Sequence, residues 1–441
     1  MPLKIYRDNI IKICILIFIT TTPTYSQTTY VLPLDSLFKL GIENSLKIQN
    51  SKIDVDIANN DINDKKGYRL PDINIGVNGG YIGEPTIFQH GLSDPKHSDM
   101  PSWSQNYNVG LSQPLYQGGR IKNSIDKAYL QKEIATLNVK SNQAEIKLLL
   151  INRYLDLLRL FKQEEVIEKS IAQSKSQLHD IKEMAKNGMI TNSDVLRSEL
   201  QLSSYELSLS ETKNDIIIIS QEIDIALALN EDLILIPESS LLDKTFFIMS
   251  YDRYIEMAYR NYPELKISQS YVALAKNNIK LVKSDYLPSF SLKAGNTLSR
   301  PITSTSPAKD LYANNWNISL SISYNLASLY HNRWKVNIAK QVVDQQNIEM
   351  QKTMQNIRTN VKASFIKHNE ALERIKTLTI SVKQAEENYR IVLNKYKNHI
   401  AILTDLLDAS SLQLEAELQL TTAKTNAVYT YYQLLCSSGN L

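Results

Sequence analysis

The chain has 441 residues, enough for two or three ordinary domains, and a formal net charge of only +3 at neutral pH. This balance offers no electrostatic basis for binding nucleic acid. We also find no phosphate-binding loop, no clustered metal ligands and no nucleophile beside a base, so the sequence predicts neither an enzyme nor a cofactor.

The N-terminus has the layout of a secretory signal peptide, which we place at residues 1–26. Basic residues precede a short apolar run at 13–19, and a segment typical of a cleavage site ends at Ser26. The alternative is a membrane anchor, but the run is shorter than the roughly 20 residues that span a bilayer. After cleavage Cys436 is the single cysteine, so the mature chain has no intrachain disulfide.

Two long stretches of the chain are free of helix breakers. No proline lies between Pro114 and Pro237, none follows Pro307, and glycine is rare in both stretches. Because proline disrupts the interior of a helix, each stretch predicts a long helical arm. A first helix from about Arg120 to Asn187 would be about 100 Å long, since each residue adds roughly 1.5 Å.

The two arms repeat each other at a fixed spacing. The positions Ile167, Ile171, Ser174, Leu178, Ile181 and Ala185 recur 211 residues later as Leu378, Val382, Ala385, Tyr389, Val392 and Tyr396. Beyond a break the stripe resumes in the first arm as Leu196, Leu200 and Leu207. Steps of four and three mark an apolar seam against a partner helix, and the break predicts a tight reversal. Gly188 favours a left-handed helix end there, and Thr191 with Asp194 matches a cap-like helix start.

The predicted layout is therefore one unit that occurs twice. The first repeat, 27–230, contains a helix, strands at 70–82 and 104–116, and a helical hairpin at 120–230 with its tip near 188–191. A connecting segment follows at 231–250. The second repeat, 251–441, contains a helix, strands at 287–298 and 314–326, and a helical hairpin at 331–436 with its tip near 398–402.

Period-two alternation carries the prediction of four strands. Trp316, Ile318 and Leu320, for example, alternate with asparagine and serine, so each strand has one apolar and one polar face. A soluble sheet packed on a core is the alternative for any single strand. Strands of this length also fit a membrane, where tyrosine and tryptophan near the strand ends form an interfacial girdle. Four strands cannot close a barrel, whereas three copies supply twelve.

The sequence resembles the outer-membrane efflux protein family, the TolC-like channels. The motifs that carry the resemblance are the strand-to-helix passage 111–120, the helix start 404–409, and the passages Tyr286-Leu287-Pro288 and Arg69-Leu70-Pro71. The resemblance implies an internally duplicated α+β membrane protein. A trimeric 12-stranded β-barrel, with four strands from each chain, would continue into a long α-helical coiled-coil barrel. In the passage, the residues carried over are Pro114, Gly118 and Gly119.

The resemblance also implies a function and a location. The protein would be the outer-membrane channel of a tripartite efflux or type I secretion system, with its helical part in the periplasm. Its partners would be two further copies of itself, a periplasmic adaptor (membrane fusion) protein, an inner-membrane pump and outer-membrane lipid. The alternatives are a secreted or periplasmic coiled-coil interaction or adaptor protein without a pore, and a secreted enzyme with a helical body.

Carried over residue by residue, the resemblance assigns a periplasmic gate and docking tips. The predicted gate and selectivity residues are Asp405, Asp408, Asp194, Tyr396 and Gln177. The predicted adaptor-docking tips are Gly188, Met189, Ile190 and Thr191 in the first hairpin, and His399, Ile400, Ala401 and Ile402 in the second. Rings of carboxylates favour cations. The alternative is that both aspartates of the second tip only complement a helix dipole.

The sequence departs from the family pattern in three places. The second strand-to-helix passage, 324–330, lacks the proline and the glycine pair. His399 stands where glycine is usual, and Ala401 where arginine is familiar, which predicts a gate held more weakly or differently. The segment 83–103 is predicted to be a polar loop, because the spacing of His90 and His97 fits no metal-ligand pattern well.

Overall fold

The fold is mostly helical with one main sheet, as the computed structural model shows; it describes residues 29–231, 233–244, 246–305 and 307–441. The predicted signal peptide lies outside these residues. The helices are α1 (Leu34–Asn44), α2 (Leu46–Gly67), α3 (Arg120–Lys186), α4 (Asn192–Leu227), α5 (Tyr251–Asn261), α6 (Pro263–Lys283), α7 (Ser328–Lys397) and α8 (Leu403–Ser437). The strands are β1 (Thr29–Leu32), β2 (Asp72–Tyr81), β3 (Thr86–His90), β4 (Ser93–His97), β5 (Trp103–Gln117), β6 (Ile234–Pro237), β7 (Ser289–Arg300) and β8 (Ala313–Ser323). Short 3₁₀ helices occupy Ser239–Asp243 and Ser284–Tyr286.

The main sheet is antiparallel and has the strand order β2-β5-β7-β8. Residues paired across antiparallel strands share a face of the sheet, so the register sorts the side chains into two surfaces. Ile75 pairs with Val109, and Ala294 pairs with Ile318, on a mainly apolar face that Asn296, opposite Val109, interrupts. These apolar side chains are exposed; Ile75, for instance, is 76% accessible.

The opposite face of the sheet is polar. Asn74 pairs with Gly110, Gly110 with Gly295, and Gly295 with Asn317 across all four strands. The two outer strands, β2 and β8, have no partner on their outer side in the described chain. The sheet is thus apolar on one side, polar on the other and open at both edges.

Two helical hairpins extend from the sheet and end at neighbouring tips. α3 has 67 residues and α7 has 70, so each is roughly 100 Å long. Next to the sheet the helices lie in the order α2-α3-α6-α7, and towards the tips in the order α4-α3-α8-α7. No proline interrupts α3 or α7, in agreement with the helix prediction.

The main core lies midway along the helices. Buried side chains of α1, α3 and α4 pack there against Leu32 of β1 and Leu235 of β6, which pair as a short parallel ladder. The Tyr154 hydroxyl donates to the Leu32 carbonyl at 2.8 Å and accepts the Glu238 N–H at 2.7 Å. One buried tyrosine therefore ties α3 to the connecting segment.

Sequence reasoning missed two pairs of short strands. It left β1 and β6 out because four-residue strands show too little alternation to be recognised. It was also wrong about 83–103, where β3 and β4 form an antiparallel hairpin in place of a loop. Polar side chains dominate both strands, so no apolar alternation marked them.

No helix in the described part of the chain combines the length and the apolar character needed to cross a membrane.

Candidate functional site at the helix tips

The two hairpin tips lie side by side at the end of the molecule that is remote from the sheet. They share a small apolar core made of α3, α4, α7 and α8 side chains: Leu178, Ile181, Val195, Tyr396, Leu403 and Leu406. Outside that core the tips are exposed, with Met189 at 62%, Ile400 at 75% and Ile402 at 67%. Apolar side chains so accessible at a helix end are available to a partner.

The first tip is a glycine-terminated helix end followed by a capped helix start. Gly188 has φ of 69°, the left-handed conformation that glycine adopts without a Cβ penalty. Asp194 N donates to the Thr191 hydroxyl at 3.3 Å, and Thr191 N donates to the Asp194 carboxylate at 3.1 Å. This is the predicted cap, and it confirms that interpretation of the Thr-x-x-Asp motif.

The second tip repeats this geometry with different side chains. His399 has φ of 57°, so a histidine holds the left-handed position that Gly188 holds in the first tip. The Asp405 carboxylate accepts the Ile402 N–H at 3.4 Å. Isoleucine has no side-chain acceptor to return that bond, so only half of the reciprocal cap of the first tip is present.

Side-chain bonds link the two hairpins near the tips. The Arg197 guanidinium donates to the Thr404 hydroxyl at 2.8 Å. Gln177 donates to the hydroxyl of Tyr389, not to Tyr396 as a latch between the predicted gate residues would need. Sequence reasoning missed Arg197, although its position within two turns of the Thr191 cap could have drawn attention to it.

Tyr396 is enclosed between the hairpins. It is 8% exposed, and its hydroxyl has no hydrogen-bond partner among the described residues. Burial and, secondarily, the charge of nearby Asp194 raise the pKa of Tyr396. Tyr396, Gln177 and His399 line a cleft of about 250 Å³. The structure thus brings Tyr396, Asp194 and Gln177 into one neighbourhood without hydrogen bonds among them.

Asp405 and Asp408 are exposed on the first turns of α8. In the described residues neither carboxylate forms an ion pair. Residues three apart on a helix share a face, so the two negative charges lie together. Asp405 also acts as a cap for its own helix, as the helix-dipole interpretation expects.

The two strand-to-helix passages differ in backbone geometry, because the first uses two left-handed glycines and the second has no left-handed residue. In the first, the pairing of β5 with β7 shifts register just after Pro114, and Gly118 and Gly119 then have φ of 61° and 81°. A Cβ on Gly118 would lie 2.6 Å from the Ser284 carbonyl oxygen, so only glycine fits. In the second passage the Asn325 side chain accepts the Ala327 N–H at 3.1 Å, an Asx turn that replaces the glycine pair.

His90 and His97 lie at opposite ends of the β3–β4 hairpin, His90 next to its turn and His97 at its open end. His90 lies 4.0 Å from the Asp94 carboxylate, whereas His97 contacts the Thr86 hydroxyl at 3.3 Å. Within the described ranges no group of three or more His, Cys, Asp or Glu side chains is placed to hold a metal ion.

Solved outer-membrane proteins share this fold. VceC from Vibrio cholerae is 14% identical over 92% of this chain and 96% of its own, with a TM-score of 0.72. CmeC from Campylobacter jejuni is 14% identical over 92% and 85%, with a TM-score of 0.72. Open-state MtrE from Neisseria gonorrhoeae is 17% identical over 92% and 88%, with a TM-score of 0.67. A comparison with curated proteins gives no match.

A sheet with an exposed apolar face, joined to helices about 100 Å long, is the architecture of a class of outer-membrane channels. The sequence profile of the outer membrane efflux protein family matches residues 37–229 and 254–440. The chain belongs to the outer membrane efflux protein family. It is an outer-membrane efflux channel and not an enzyme, and its helical part lies in the periplasm. The predicted family and function are confirmed, and nothing supports a pore-less adaptor.

Proposed function

We propose that three copies of the chain form one exit duct, with a 12-stranded barrel continuous with a helical barrel. The observation that carries this proposal is the pair of open sheet edges. β2 and β8 leave their outer backbone groups unpaired in the described chain, and both present exposed apolar side chains on the same face. An open edge in lipid is costly, so β8 of one copy pairs with β2 of the next and closes the sheet.

The helices have matching open edges. Beside the sheet, α2 exposes Leu46, Ile53 and Ile57, and α7 exposes Trp334, Ile338 and Ile348. The two helices lie at opposite ends of the order α2-α3-α6-α7, as β2 and β8 do in the sheet. The same rotation that joins the sheet edges therefore brings these two apolar stripes together.

Towards the tips the pattern recurs with α4 in place of α2. The stripe of Leu196, Leu200 and Leu207 is exposed by 53%, 72% and 62%. Within the chain, α4 packs instead through positions such as Val195 and Tyr205. The predicted seam on α4 is therefore left for another copy, where α7 offers Ile380 and Ile391.

The internal duplication is part of the proposal. The order of helices, strand pair and long hairpin occurs twice, and the family profile matches two segments of similar length. Gly188, Thr191 and Asp194 have counterparts 211 residues later in His399, Ile402 and Asp405, with the same left-handed backbone and the same carboxylate-to-N-cap bond.

The tips are the proposed docking surface for a periplasmic adaptor, which connects the duct to an inner-membrane pump of an efflux or type I secretion assembly. Met189 and Ile400 are exposed and apolar in the described chain, and both sit on turns that a partner can approach. A cysteine at either position, treated in cells with a crosslinker that joins a thiol to a lysine amine, should give an adduct with the adaptor. A cysteine at Leu92, which is 90% exposed on the β3–β4 hairpin at the other end, is the matched control. Adducts only at Leu92 would refute docking at the tips.

Asp405 and Asp408 are the proposed selectivity ring, and Tyr396, Asp194 and Gln177 the proposed closure contacts. Three copies would place six carboxylates around the entrance, which favours cations. The variant Asp405→Asn with Asp408→Asn removes the charges and retains an oxygen for the Ile402 N–H. It should lower the ratio of cation to anion permeability in planar bilayers, whereas the exposed control Asp215→Asn should not. An unchanged ratio would leave Asp405 as a helix cap and both aspartates as complements of the helix dipole.

A further inference from the structure

The polar face of the sheet is almost free of charge. Along β2, β5, β7 and β8 it carries asparagine, glutamine, serine, threonine, glycine, alanine and proline. Only two charged side chains interrupt this amide and hydroxyl surface. They are Asp72, the first residue of β2, and Lys293, the fifth residue of β7.

These two charges lie at the same level of the sheet. Asp72 pairs with Ser112, Ser112 with Lys293, and Lys293 with Ser319. Two strand spacings separate Asp72 from Lys293, a distance of about 10 Å between their backbones. Both side chains are exposed, and in the described chain neither forms an ion pair or a side-chain hydrogen bond.

The position of the pair is also defined. Both residues belong to the half of the sheet that joins the helices, because β7 begins at Ser289 and the helices end just before β2 and β7. The apolar face of the sheet is the one that lipid covers, so the face with Asp72 and Lys293 lines the bore. This step rests on the proposed trimeric barrel.

We infer that Asp72 and Lys293 form a charge-balanced belt that keeps the exit section of the duct indifferent to the charge of its solute. Around the closed barrel, each Lys293 has an Asp72 of its own chain two strands away on one side. On its other side the next chain's Asp72 is again two strands away. Positive and negative side chains therefore alternate around the bore, three of each.

The physical consequence is cancellation in the middle of the bore. Alternating charges separated by about 10 Å offset each other within one Debye length, which is about 10 Å at 0.1 M salt. The amide and hydroxyl surface above the belt adds dipoles but no net charge. Cationic, anionic and zwitterionic polar solutes then pass this section alike, so the belt adds no charge selection to that of Asp405 and Asp408.

Removing the charge of Lys293 and removing the charge of Asp72 should shift the ratio of potassium to chloride permeability in opposite directions. Lys293→Gln leaves three aspartates unopposed and should raise the ratio of potassium to chloride permeability about twofold at 0.1 M salt. Asp72→Asn leaves three lysines unopposed and should lower that ratio by about the same factor. The exchanged pair Asp72→Lys with Lys293→Asp restores the alternation and should behave as the wild type.

The experiment is reversal-potential measurement on single channels in planar bilayers under a potassium chloride gradient. It is run on the full-length protein and on the Asp405→Asn, Asp408→Asn background, so that the tips do not mask the belt. Lys309→Gln, which removes an exposed lysine from the β7–β8 loop, is the matched control and should leave the ratio unchanged. Raising the salt to 1 M should abolish the effects, because the Debye length falls to about 3 Å.

Each outcome is decisive. Opposite shifts in the two single variants, cancelled in the exchanged pair, support the belt. If the wild type forms channels but both single variants keep its selectivity, or both shift it in the same direction, the belt is overturned and the trimeric duct stays intact. A wild-type protein that forms no channel overturns the proposed duct and the belt together.

Discussion

Asp224, on α4, is a buried carboxylate without a partner in the described chain. Its side chain is fully buried, and neither carboxylate oxygen has a hydrogen-bond partner among the described residues. Burial and, to a smaller extent, the charge of Glu231 raise the pKa of Asp224 to about 6. The folded protein therefore holds the proton over a pH range in which the unfolded chain has released it.

This gives a signed prediction for stability against pH. Since the pKa of Asp224 is higher in the folded state, the free energy of unfolding falls as pH rises from about 4 to about 6 and stays lower above that range. Asp224→Asn should remove this loss, which amounts to at most about 3 kcal/mol at pH 7.5. Melting temperatures at pH 4 and pH 7.5 measure it, with Asp215→Asn as an exposed control on the same helix. An equal effect of Asp224→Asn at both pH values would contradict the prediction.

His399 illustrates backbone strain at a single residue. A left-handed residue other than glycine costs roughly 1–2 kcal/mol, and the first tip avoids that cost with Gly188. His399→Gly should therefore slow amide hydrogen exchange across residues 395–402, because local opening becomes less favourable. Gly188→Ala is the matched opposite change and should speed exchange at 184–191. Faster exchange after His399→Gly would show that its side chain stabilises the turn.

At the scale of elements, the passage from β5 to α3 should tolerate change very unevenly. Gly118 and Gly119 are both left-handed, but a Cβ on Gly118 would meet the Ser284 carbonyl at 2.6 Å, whereas on Gly119 the nearest neighbour, Asn123, is 3.6 Å away. Gly119→Ala should cost only the left-handed penalty of roughly 1–2 kcal/mol. Gly118→Ala must also displace backbone, so its melting temperature should fall clearly further. Equal losses in the two variants would contradict this account of the passage.

The elements differ in how far the sequence predicts them. The long helices were predictable because tens of residues without proline favour an uninterrupted helix. The strands of the main sheet were predictable because a sheet with lipid on one face and water on the other requires apolar and polar residues to alternate. β1, β6 and the β3–β4 hairpin were not, since strands of four or five residues are too short to show a periodic signal. The cap at Thr191 and Asp194 followed from local chemistry. The Arg197 bond to Thr404 joins residues 207 apart, and no local pattern encodes such a contact.

At the scale of the whole molecule, the single chain is an incomplete surface. In the part of the chain that the structure describes, the sheet has two open edges and no other element packs on its polar face. The helices α2, α4 and α7 carry exposed apolar stripes. Sequence alternation predicted the apolar face, but it could not show that the open sheet edges and the exposed helical stripes occur in the same order around the chain. Because the two orders agree, a single rotational symmetry can pair the sheet edges and also bury the apolar stripes of the helices.

The mass of the protein extracted in detergent from isolated outer membranes tests the central claim most directly. Native mass spectrometry should find an assembly of three identical chains, because twelve strands are the smallest set that satisfies both edges of the sheet and exceeds the eight-stranded barrel, whose interior side chains fill. Heating should convert it to single chains without an intermediate dimer of comparable stability. A protein that leaves the membrane fraction as one chain, or as a stable dimer, would contradict the trimeric duct.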